Sequence, residues 1–254
     1  TLLRNAMKQS KACIFIGQGF IGGAPDGTTT TLGREGSDYS AAVAANILDA
    51  ESMSVWKDVD GILNADPKVF PDAVQIAELN YLDTIELAYS GAQIIHPKTI
   101  KPLQNKNIPL YVRPFGDKRK PGTVIRRMSA PIEVPILILK KDQVLLTIRS
   151  RDFSFVLEEK FAAIFSLLER YRIKVNLVHN SAVNLSLCVD NSWHIDEAIQ
   201  ALRNEEFDVM KVENMELLTI RGYNGDLMER YASGPEVFLL QRTQSTARIV
   251  RKNR

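Results

Sequence analysis

The chain has 254 residues, 45% hydrophobic and 24% charged, a composition that is typical of globular proteins and excludes a disordered or low-complexity chain. Its 32 basic and 30 acidic residues give a net charge of +2 with no basic cluster among aromatic residues, which excludes a dedicated nucleic-acid binder. The longest apolar runs, such as 134–139, are far shorter than the roughly 20 residues that span a bilayer, so we expect no membrane segment.

The first part of the chain predicts alternating strands and helices around a glycine-rich loop. Residues 12–16 predict a strand that leads into this loop, and Ser37 is predicted to cap the next helix, 39–48, with Asp38 in its first turn. Further strands are predicted at 52–56, 93–95 and 109–112, and further helices at 81–89, closed by Gly91, and from Pro97 onward. This alternation indicates an α/β layer with a largely parallel sheet.

A basic connector, DKRKPGTVIRRM at 117–128, indicates the approach to a domain boundary. Beyond it the pattern becomes β-α-β-β-α-β, with strands at 143–149, 174–178, 183–189 and near 209–213, and helices at 157–171 and 195–204. This is the element order of a ferredoxin-like domain. A second, incomplete copy is indicated by a strand at 216–221, a short helix at 226–231 and a hairpin of 236–241 with 246–250.

The segment TTTTLGREGSD, residues 28–38, is the first candidate site. Backbone amides near Gly33 and Gly36, together with a helix N-terminus, form a site for anionic oxygens, and Arg34 is suited to hold a carboxylate in bidentate fashion. Asp38 is suited to receive a substrate ammonium or to orient a metal-bound phosphate. The alternative is a flexible surface loop in front of a capped helix.

The segment WKDVDGILNADPK, residues 56–68, is the second candidate site. It places three aspartates and two lysines at the carboxyl end of a predicted strand, the edge where open α/β sheets bind ligands. Mixed acidic and basic groups at that edge suit a nucleotide with its Mg²⁺. The spacing does not match a calcium loop, and the alternative is a solvated, aspartate-rich turn.

The histidines and cysteines indicate no further chemistry. His96 precedes Pro97 without a nucleophile or triad pattern, which favours a structural turn or helix cap. His179 and His194 are isolated, so no zinc site is expected. Cys13 and Cys188, like the strands that contain them, are expected to be buried, with free thiols in a reducing, cytoplasmic setting.

Three motifs in order, TTLGREGSDYSAA, VWKDVDGILNADPK and GAQIIHPKTI, followed by IPLYVRPF and KPGTVI, resemble the aspartokinase family over about residues 13–125. The region after Glu133, including IFSLLERYRIKVNLVHNSAVNLSL, resembles that family's regulatory ACT domains. The implied fold is α/β, part of an amino-acid-kinase parallel-sheet sandwich followed by ferredoxin-like (βαββαβ) ACT domains. We expect the carboxyl half of the kinase domain at 1–130, a first ACT domain at 131–214 and a partial second one at 215–254.

The resemblance implies an aspartate kinase, which transfers the ATP γ-phosphoryl group to the side-chain carboxylate of L-aspartate and gives 4-phospho-L-aspartate. This is the first step of lysine, threonine and methionine biosynthesis, and it requires ATP and Mg²⁺. Arg34 is implied to bind the substrate α-carboxylate, with Ser37 and Asp38 helping to hold the amino acid. The residues implied to line the ATP site are Lys57, Asp58, Asp60, Gly61, Ile62, Asp66, Pro67, Lys68 and Gln93.

The sequence departs from the family pattern at three places. Glu35 stands where many members have glycine, and Gln93 stands where many have a lysine that neutralises phosphate charge. The Lys-Phe-Gly-Gly strand that begins the family's kinase domain does not occur, and Thr1 enters midway through that domain. Because phosphoryl transfer depends on charge stabilisation, we expect negligible kinase activity from this chain alone.

In the regulatory region the resemblance implies an amino-acid effector, lysine or threonine, at an edge formed by Val175, Asn176, Asn180 and Ser181. The alternative is a set of ordinary polar residues at strand ends. Asn176 stands where an aspartate often occurs, which alters the contact to an effector ammonium. Pairing of ACT sheets between chains implies a homodimer.

Other functions remain open alongside the kinase. One is a non-catalytic amino-acid-sensing subunit that pairs with a full-length chain. Another is a fragment of a kinase fused to homoserine dehydrogenase, although no G-x-G-x-x-G fingerprint occurs. Residues 1–7 show neither an initiator methionine nor a secretory leader, which indicates a chain entered partway.

Overall fold

The computed structural model describes residues 2–92, 95–128, 132–151 and 158–253. The chain divides into two compact units, Thr1–Val134 and Pro135–Arg254. Within the described residues, no helix combines the length and the apolar character that crossing a bilayer requires.

Unit 1 contains a mixed four-stranded sheet with helices packed on one face. Its elements are α1 (Leu2–Gln9), β1 (Ile21–Gly23), β2 (Thr29–Thr31), α2 (Gly36–Leu48), β3 (Met53–Lys57), β4 (Glu78–Asn80), α3 (Tyr81–Ser90), α4 (Pro97–Gln104), β5 (Leu110–Pro114) and β6 (Thr123–Arg126). The strand order is β3-β5-β6-β4, with β3·β5 and β4·β6 parallel and β5·β6 antiparallel. Alternate strand residues such as Val55, Val112 and Ile125 are buried, which gives the sheet one packed face.

Local signals account for the helix boundaries in unit 1. Asn80 caps α3 by accepting a hydrogen bond from the Asp83 N–H at 2.7 Å, and Gly91 closes it with a φ of 115°. His96 caps α4, its Nδ1 accepting from the Lys98 N–H at 3.1 Å, while Pro97 begins the helix. The predicted structural role of His96 is confirmed.

Gly122 shows why one turn of unit 1 requires glycine. It precedes β6 with a φ of +72°, and a Cβ placed there would lie 2.0 Å from the Val112 carbonyl oxygen of β5. No side chain fits that gap without moving the β5 backbone.

The structure contradicts two sequence predictions in unit 1, the strand at 12–16 with a buried Cys13 and the Ser37 cap, and a third lies mostly outside the described residues. The strand predicted at 12–16 is wrong: in the described structure these residues are exposed and pair with no strand, and Cys13 is exposed with them. Their backbone groups have no ladder to join, and apolar content alone does not make a strand. Ser37 is not a cap, because α2 begins at Gly36 and Glu35 holds the cap position with a φ of 58°. Of the strand predicted at 93–95, residues 93 and 94 lie outside the described residues.

Unit 2 is one antiparallel six-stranded sheet with three helices among its described residues. Its elements are β7 (Ile136–Ser150), α5 (Glu158–Arg170), β8 (Val175–Asn180), β9 (Asn184–Asp190), α6 (Ile195–Asn204), β10 (Phe207–Arg221), α7 (Gly225–Ala232), β11 (Val237–Arg242) and β12 (Thr246–Lys252). The strand order is β11-β12-β10-β7-β9-β8. The predicted succession of elements is confirmed, with one change at β10.

β7 and β10 are each 15 residues long and run side by side through two halves of this sheet. The strands predicted at 209–213 and 216–221 are one strand, which stays continuous through a register irregularity around Asn214, whose φ is 59°. The first half, β8-β9-β7-β10 with α5 and α6, has the ferredoxin-like order. The second half consists of residues 136–140 of β7 followed in order by β10, β12 and β11, and β7 pairs directly with β10 alone of these three.

Two hydrophobic clusters of described residues hold unit 2 together. Helix residues Ile164, Leu168 and Leu202 pack on strand residues such as Leu146 and Leu187 of the first half. A second cluster spans both halves and contains Leu145, Leu177, Cys188, Met215, Leu217, Leu239 and Val250. Burial raises the pKa of the Cys188 thiol to about 12, so this cysteine is a neutral core residue at physiological pH.

Candidate active site

The amino-terminal end of α2 meets the carboxyl end of β3 through one ion pair. Asp38, in the first turn of α2, accepts a hydrogen bond at Oδ2 from the Lys57 Nζ at 2.8 Å. The two side chains are 19% and 28% exposed, so the pair is reachable from solvent. The structure thereby brings together the two segments that the sequence singled out separately.

The loop before α2 turns at two residues with a left-handed backbone conformation, Gly33 and Glu35. Gly33 has a φ of +75°, and a Cβ on Gly36 would lie 2.9 Å from the Phe20 ring and the Leu32 side chain. Arg34 and Ser37 lie exposed on this turn, one residue to either side of the Glu35–Gly36 corner. Arg34, Ser37 and Asp38 therefore share one helix end, where N–H groups and the helix dipole favour anions.

Glu35 links α2 to α4, a contact that the sequence did not indicate. Its Oε2 accepts a hydrogen bond from the His96 N–H at 2.7 Å. The carboxylate thus holds the loop that leads into α4 against the start of α2. The only signal in the sequence is the departure from glycine at position 35, which marks the residue without naming its partner.

The segment after β3 divides into exposed acids and a buried support. Asp58 and Asp60 are exposed, and Asp60 Oδ2 pairs with the Lys120 Nζ at 2.6 Å. Gly61 and Ile62 are buried, and the Ile62 N–H donates to the Thr123 hydroxyl at 2.8 Å. Ile62 therefore shapes the loop from beneath, while the two aspartates face solvent.

The end of this segment is a turn built on Asp66. Its Oδ1 accepts from the Lys68 N–H at 2.9 Å, and its carbonyl accepts from the N–H groups of Val69 and Phe70. Pro67 and Lys68 are exposed on the turn. Asp66 therefore holds the backbone of this turn, on which Lys68 lies exposed. Gln93, the remaining residue of this set, lies outside the described residues.

Two cationic residues that the sequence did not single out stand at the same sheet. Lys120, from the predicted domain connector, pairs with Asp60, and Arg113 of β5 lies with its guanidinium 6.0 Å from the Trp56 ring centre and 5.0 Å from that of Tyr111. Arg113 Nε is buried and, in the part of the chain that the structure describes, has no hydrogen-bond partner. Arg113 falls inside the quoted motif IPLYVRPF, which was the available signal.

The donor set fits a magnesium ion that arrives with a nucleotide. Among the described residues no group of three or more His, Cys, Asp or Glu side chains is arranged to hold a metal. Mg²⁺ usually keeps several waters and is bound through one or two carboxylates plus substrate phosphates. Asp58 and Asp60 are exposed carboxylates at the carboxyl end of β3 and match that requirement.

The residues predicted to bind an effector lie along β8, an edge strand of the unit 2 sheet. Val175 and Asn176 stand at one end, and Asn180 and Ser181 at the other. At about 3.3 Å per residue, Asn176 and Asn180 are separated by roughly 13 Å. Ser181 closes the turn to β9 by exchanging hydrogen bonds with Asn184. Within one chain these four residues therefore do not converge on one pocket.

Comparison with known proteins shows which proteins the chain resembles. Residues 1–114 match the amino acid kinase family. The lysine-sensitive aspartokinase 3 of Escherichia coli is 35% identical over 233 residues, which cover 89% of this chain and 51% of the relative. Aspartokinase 1 of Arabidopsis thaliana, a chloroplastic protein, is 36% identical over 209 residues, 78% of this chain and 36% of the relative. The chain is a homologue of the aspartokinases. It spans about half the length of the E. coli relative, and less of the plant one.

Solved aspartokinase structures agree with the fold. The chain superposes on E. coli aspartokinase III in complex with aspartate and ADP with a TM-score of 0.76 and 29% identity, covering 92% of this chain and 56% of that one. For the same enzyme in complex with lysine and aspartate, the TM-score is 0.71 at 30% identity, with 92% and 55% covered. An aspartate kinase from Clostridium acetobutylicum has the same fold, with a TM-score of 0.79 at 20% identity over 92% of this chain and 58% of that one. The predicted fold class, an amino-acid-kinase α/β part followed by a ferredoxin-like part, is confirmed.

Proposed function

We propose that the chain is part of an aspartate kinase, which transfers the γ-phosphoryl group of ATP to the side-chain carboxylate of L-aspartate and forms 4-phospho-L-aspartate. The Lys57–Asp38 ion pair is the observation that carries this proposal, because it joins the Arg34 loop to the acidic edge of β3. The E. coli homologue that binds aspartate and ADP supports it. The reaction would be the first step of lysine, threonine and methionine biosynthesis, in the cytoplasm.

In this proposal the start of α2 holds the amino-acid substrate. Arg34 binds the α-carboxylate through two parallel N–H···O contacts, and the N-terminal amides of α2 add to the field that favours an anion. Asp38 gives one oxygen, Oδ2, to Lys57 and offers Oδ1, with the Ser37 hydroxyl, to the substrate ammonium. The substrate side chain then points along the Lys57–Asp38 pair toward the edge of β3.

The nucleotide occupies the carboxyl end of β3. Phosphoryl transfer has little covalent chemistry for the protein to perform, so its residues act by positioning the reactants and neutralising charge. Lys57, Lys68 and Lys120 supply positive charge next to the phosphates. Asp58 and Asp60 would hold Mg²⁺, which would neutralise further phosphate charge. Gly61, Asp66 and Pro67 shape the loop and Ile62 supports it, and Gln93, which lies outside the described residues, stays a prediction from the sequence.

Unit 2 is proposed to be the regulatory part, built from ACT domains that correspond to 131–214 and 215–254. An amino-acid effector, lysine or threonine, would bind at the β8 edge. Antiparallel pairing of two copies of β8 would set the Val175–Asn176 end of one protomer beside the Asn180–Ser181 end of its partner. In a homodimer the four predicted effector residues would therefore lie close together, which they do not within one chain.

The test is substrate binding by the purified chain, measured by isothermal titration calorimetry, because binding does not depend on the rate of turnover. We expect saturable binding of L-aspartate and of ADP with Mg²⁺. Arg34→Met is expected to weaken L-aspartate binding roughly 10- to 100-fold, since a charge-assisted contact contributes about 1.5–3 kcal/mol. ADP binding should stay within about threefold of the original.

Arg127→Met is the matched control, because Arg127 is an exposed arginine of the same unit outside the proposed site. This variant should bind L-aspartate as the original chain does. Equal L-aspartate affinity in Arg34→Met would contradict the assigned role. Binding of an amino-acid effector without any binding of L-aspartate or ADP would support a non-catalytic sensing subunit instead.

A further inference from the structure

Four polar side chains gather across β7, β8 and β9 in unit 2, and we call them the Asp190 cluster: Lys140, Gln143, Asn176 and Asp190. Lys140 Nζ donates to Asn176 Oδ1 at 2.8 Å and to Asp190 Oδ1 at 3.0 Å. Asn176 Nδ2 donates to Gln143 Oε1 at 2.7 Å and to Asp190 Oδ1 at 2.6 Å. Gln143 Nε2 donates to the same Asp190 oxygen at 2.9 Å. One carboxylate oxygen thus accepts hydrogen bonds from three side chains.

The cluster is withdrawn from water on its inner side. Gln143 is buried, and the Lys140 side chain is 17% exposed. Burial by itself would raise the pKa of Asp190, but the hydrogen bonds from Gln143, Asn176 and Lys140 outweigh it and leave that pKa below its ordinary value. Asp190 is therefore ionised, and its single negative charge balances the single positive charge of Lys140.

The acceptors around Lys140 are those that any primary ammonium group requires. A carbonyl oxygen from Asn176 and a carboxylate oxygen from Asp190 both point at the Lys140 nitrogen. Because Asn176 is neutral, the cluster has charge for one ammonium group and none for a second. A ligand ammonium can reach Asn176 Oδ1 only by displacing the Lys140 ammonium or by lying next to it, where like charges repel.

We propose that the Asp190 cluster is an ammonium-binding site that the chain fills with its own Lys140, and that this selects an effector without a side-chain ammonium group. The second part rests on the proposed effector role of the β8 edge, to which Asn176 belongs. A neutral amino acid such as threonine carries one ammonium group and lysine carries two, so threonine is favoured over lysine. Lys140 is thus a specificity-determining residue.

The first experiment tests the ammonium site without any effector. Lys140→Ala removes the ammonium and leaves room, so added n-butylammonium should raise the melting temperature of this variant well above the rise it gives in the original chain. Tetramethylammonium at the same concentration, which has no N–H donor, should give no such rise. Lys141→Ala is the control, because Lys141 is the exposed neighbour.

Failure of n-butylammonium to stabilise Lys140→Ala more than the original chain would overturn the ammonium site. Lys140→Met keeps the side-chain volume and serves if the alanine variant does not fold. In Lys140→Met the pKa of the Asp190 carboxyl, followed by NMR, should rise relative to the original chain, whereas it should not change in Lys141→Met. An unchanged Asp190 pKa would contradict the contact on which the site depends.

The second experiment tests selectivity by titrating the full chain with threonine and with lysine. We expect the original chain to bind threonine more tightly than lysine and Lys140→Met to gain at least tenfold in lysine affinity. Tighter binding of lysine than of threonine by the original chain would overturn the selectivity. If neither amino acid binds any variant while n-butylammonium still stabilises Lys140→Ala, both the effector role of the β8 edge and the selectivity are wrong. The ammonium site is then still supported.

Discussion

Two ion pairs that tie neighbouring elements together differ in how much water reaches them. Lys57 and Asp38 in unit 1 are 28% and 19% exposed, whereas Arg251 and Glu216 in unit 2 are 8% and 4% exposed, at an Arg251 Nε to Glu216 Oε1 distance of 2.7 Å. The partly exposed pair costs less desolvation than the buried one and leaves atoms for a ligand. The buried pair is enclosed by the fold, which makes each charge depend on the other.

The surroundings of Arg251 show the same enclosure. Its guanidinium lies 5.5 Å from the ring centre of Tyr231 on α7, and its Nη1 is buried without a hydrogen-bond partner among the described residues. The pair spans the adjacent strands β10 and β12, where Glu216 and Arg251 are register partners. A basic and an acidic side chain are thus paired at a partly exposed position in unit 1 and at a buried position in unit 2.

The largest effect is expected from breaking the buried pair. Glu216→Leu leaves the Arg251 charge buried without its partner and should lower the free energy of unfolding by about 3–5 kcal/mol. Hydrogen exchange of β10 and β12, measured by mass spectrometry, reports the loss where it occurs. Adding Arg251→Met to the same chain removes the orphaned charge and should recover most of the stability. If the free energy of unfolding of Glu216→Leu falls by less than about 1 kcal/mol, the buried pair does not differ from the partly exposed one in its effect on stability.

A smaller effect on stability, with a clear effect on binding, is expected at Lys57. Because partly exposed ion pairs contribute about 0–1 kcal/mol, Lys57→Met should change the unfolding free energy by no more than about 1 kcal/mol. Binding of ADP with Mg²⁺ should weaken at least tenfold in titration calorimetry. Lys118→Met, at an exposed position of the same unit, is the control and should leave both quantities unchanged. Unaltered ADP binding in Lys57→Met would show that Lys57 does not contribute to the nucleotide site.

The smallest effect is expected at Asp190 and depends on pH. Its folded-state pKa lies below the ordinary 3.8, so its contribution to stability is complete above that pH and is lost as the pH falls through the folded value. Asp190→Asn should therefore flatten the decline of the unfolding free energy below pH 4, measured by urea titration at several pH values. The same slope in both chains would show that Asp190 titrates alike folded and unfolded.

Features coded by neighbours in sequence could be predicted, and features made by distant pairs could not. The α6 helix, Ile195–Asn204, and the His96 cap follow from apolar spacing and from a proline at the first helical position. The continuity of β10 depends on its pairing with β7, so the sequence predicts two strands, 209–213 and 216–221, where the structure has one. The run 12–16 has strand composition but no partner strand in the described structure.

The candidate site shows the same division. The residue types and their edge of the sheet could be predicted from two motifs, because each motif is local. The contacts that join them, Asp38 to Lys57, Glu35 to His96 and Asp60 to Lys120, link residues 19, 61 and 60 positions apart. No local pattern encodes such a pairing, and the Asp190 cluster, assembled from three strands, is hidden from the sequence for the same reason.

The shared strands of unit 2 bear on how this unit comes apart. β7 and β10 belong to both halves of the sheet and pair along nearly their whole length, from Phe207 with Ser150 to Arg221 with Ile136. Neither half can therefore lose its hydrogen-bonded ladder without exposing the edge of the other. The two halves should melt as one cooperative block, with their amide protons exchanging at a common rate, although each has its own helical cover.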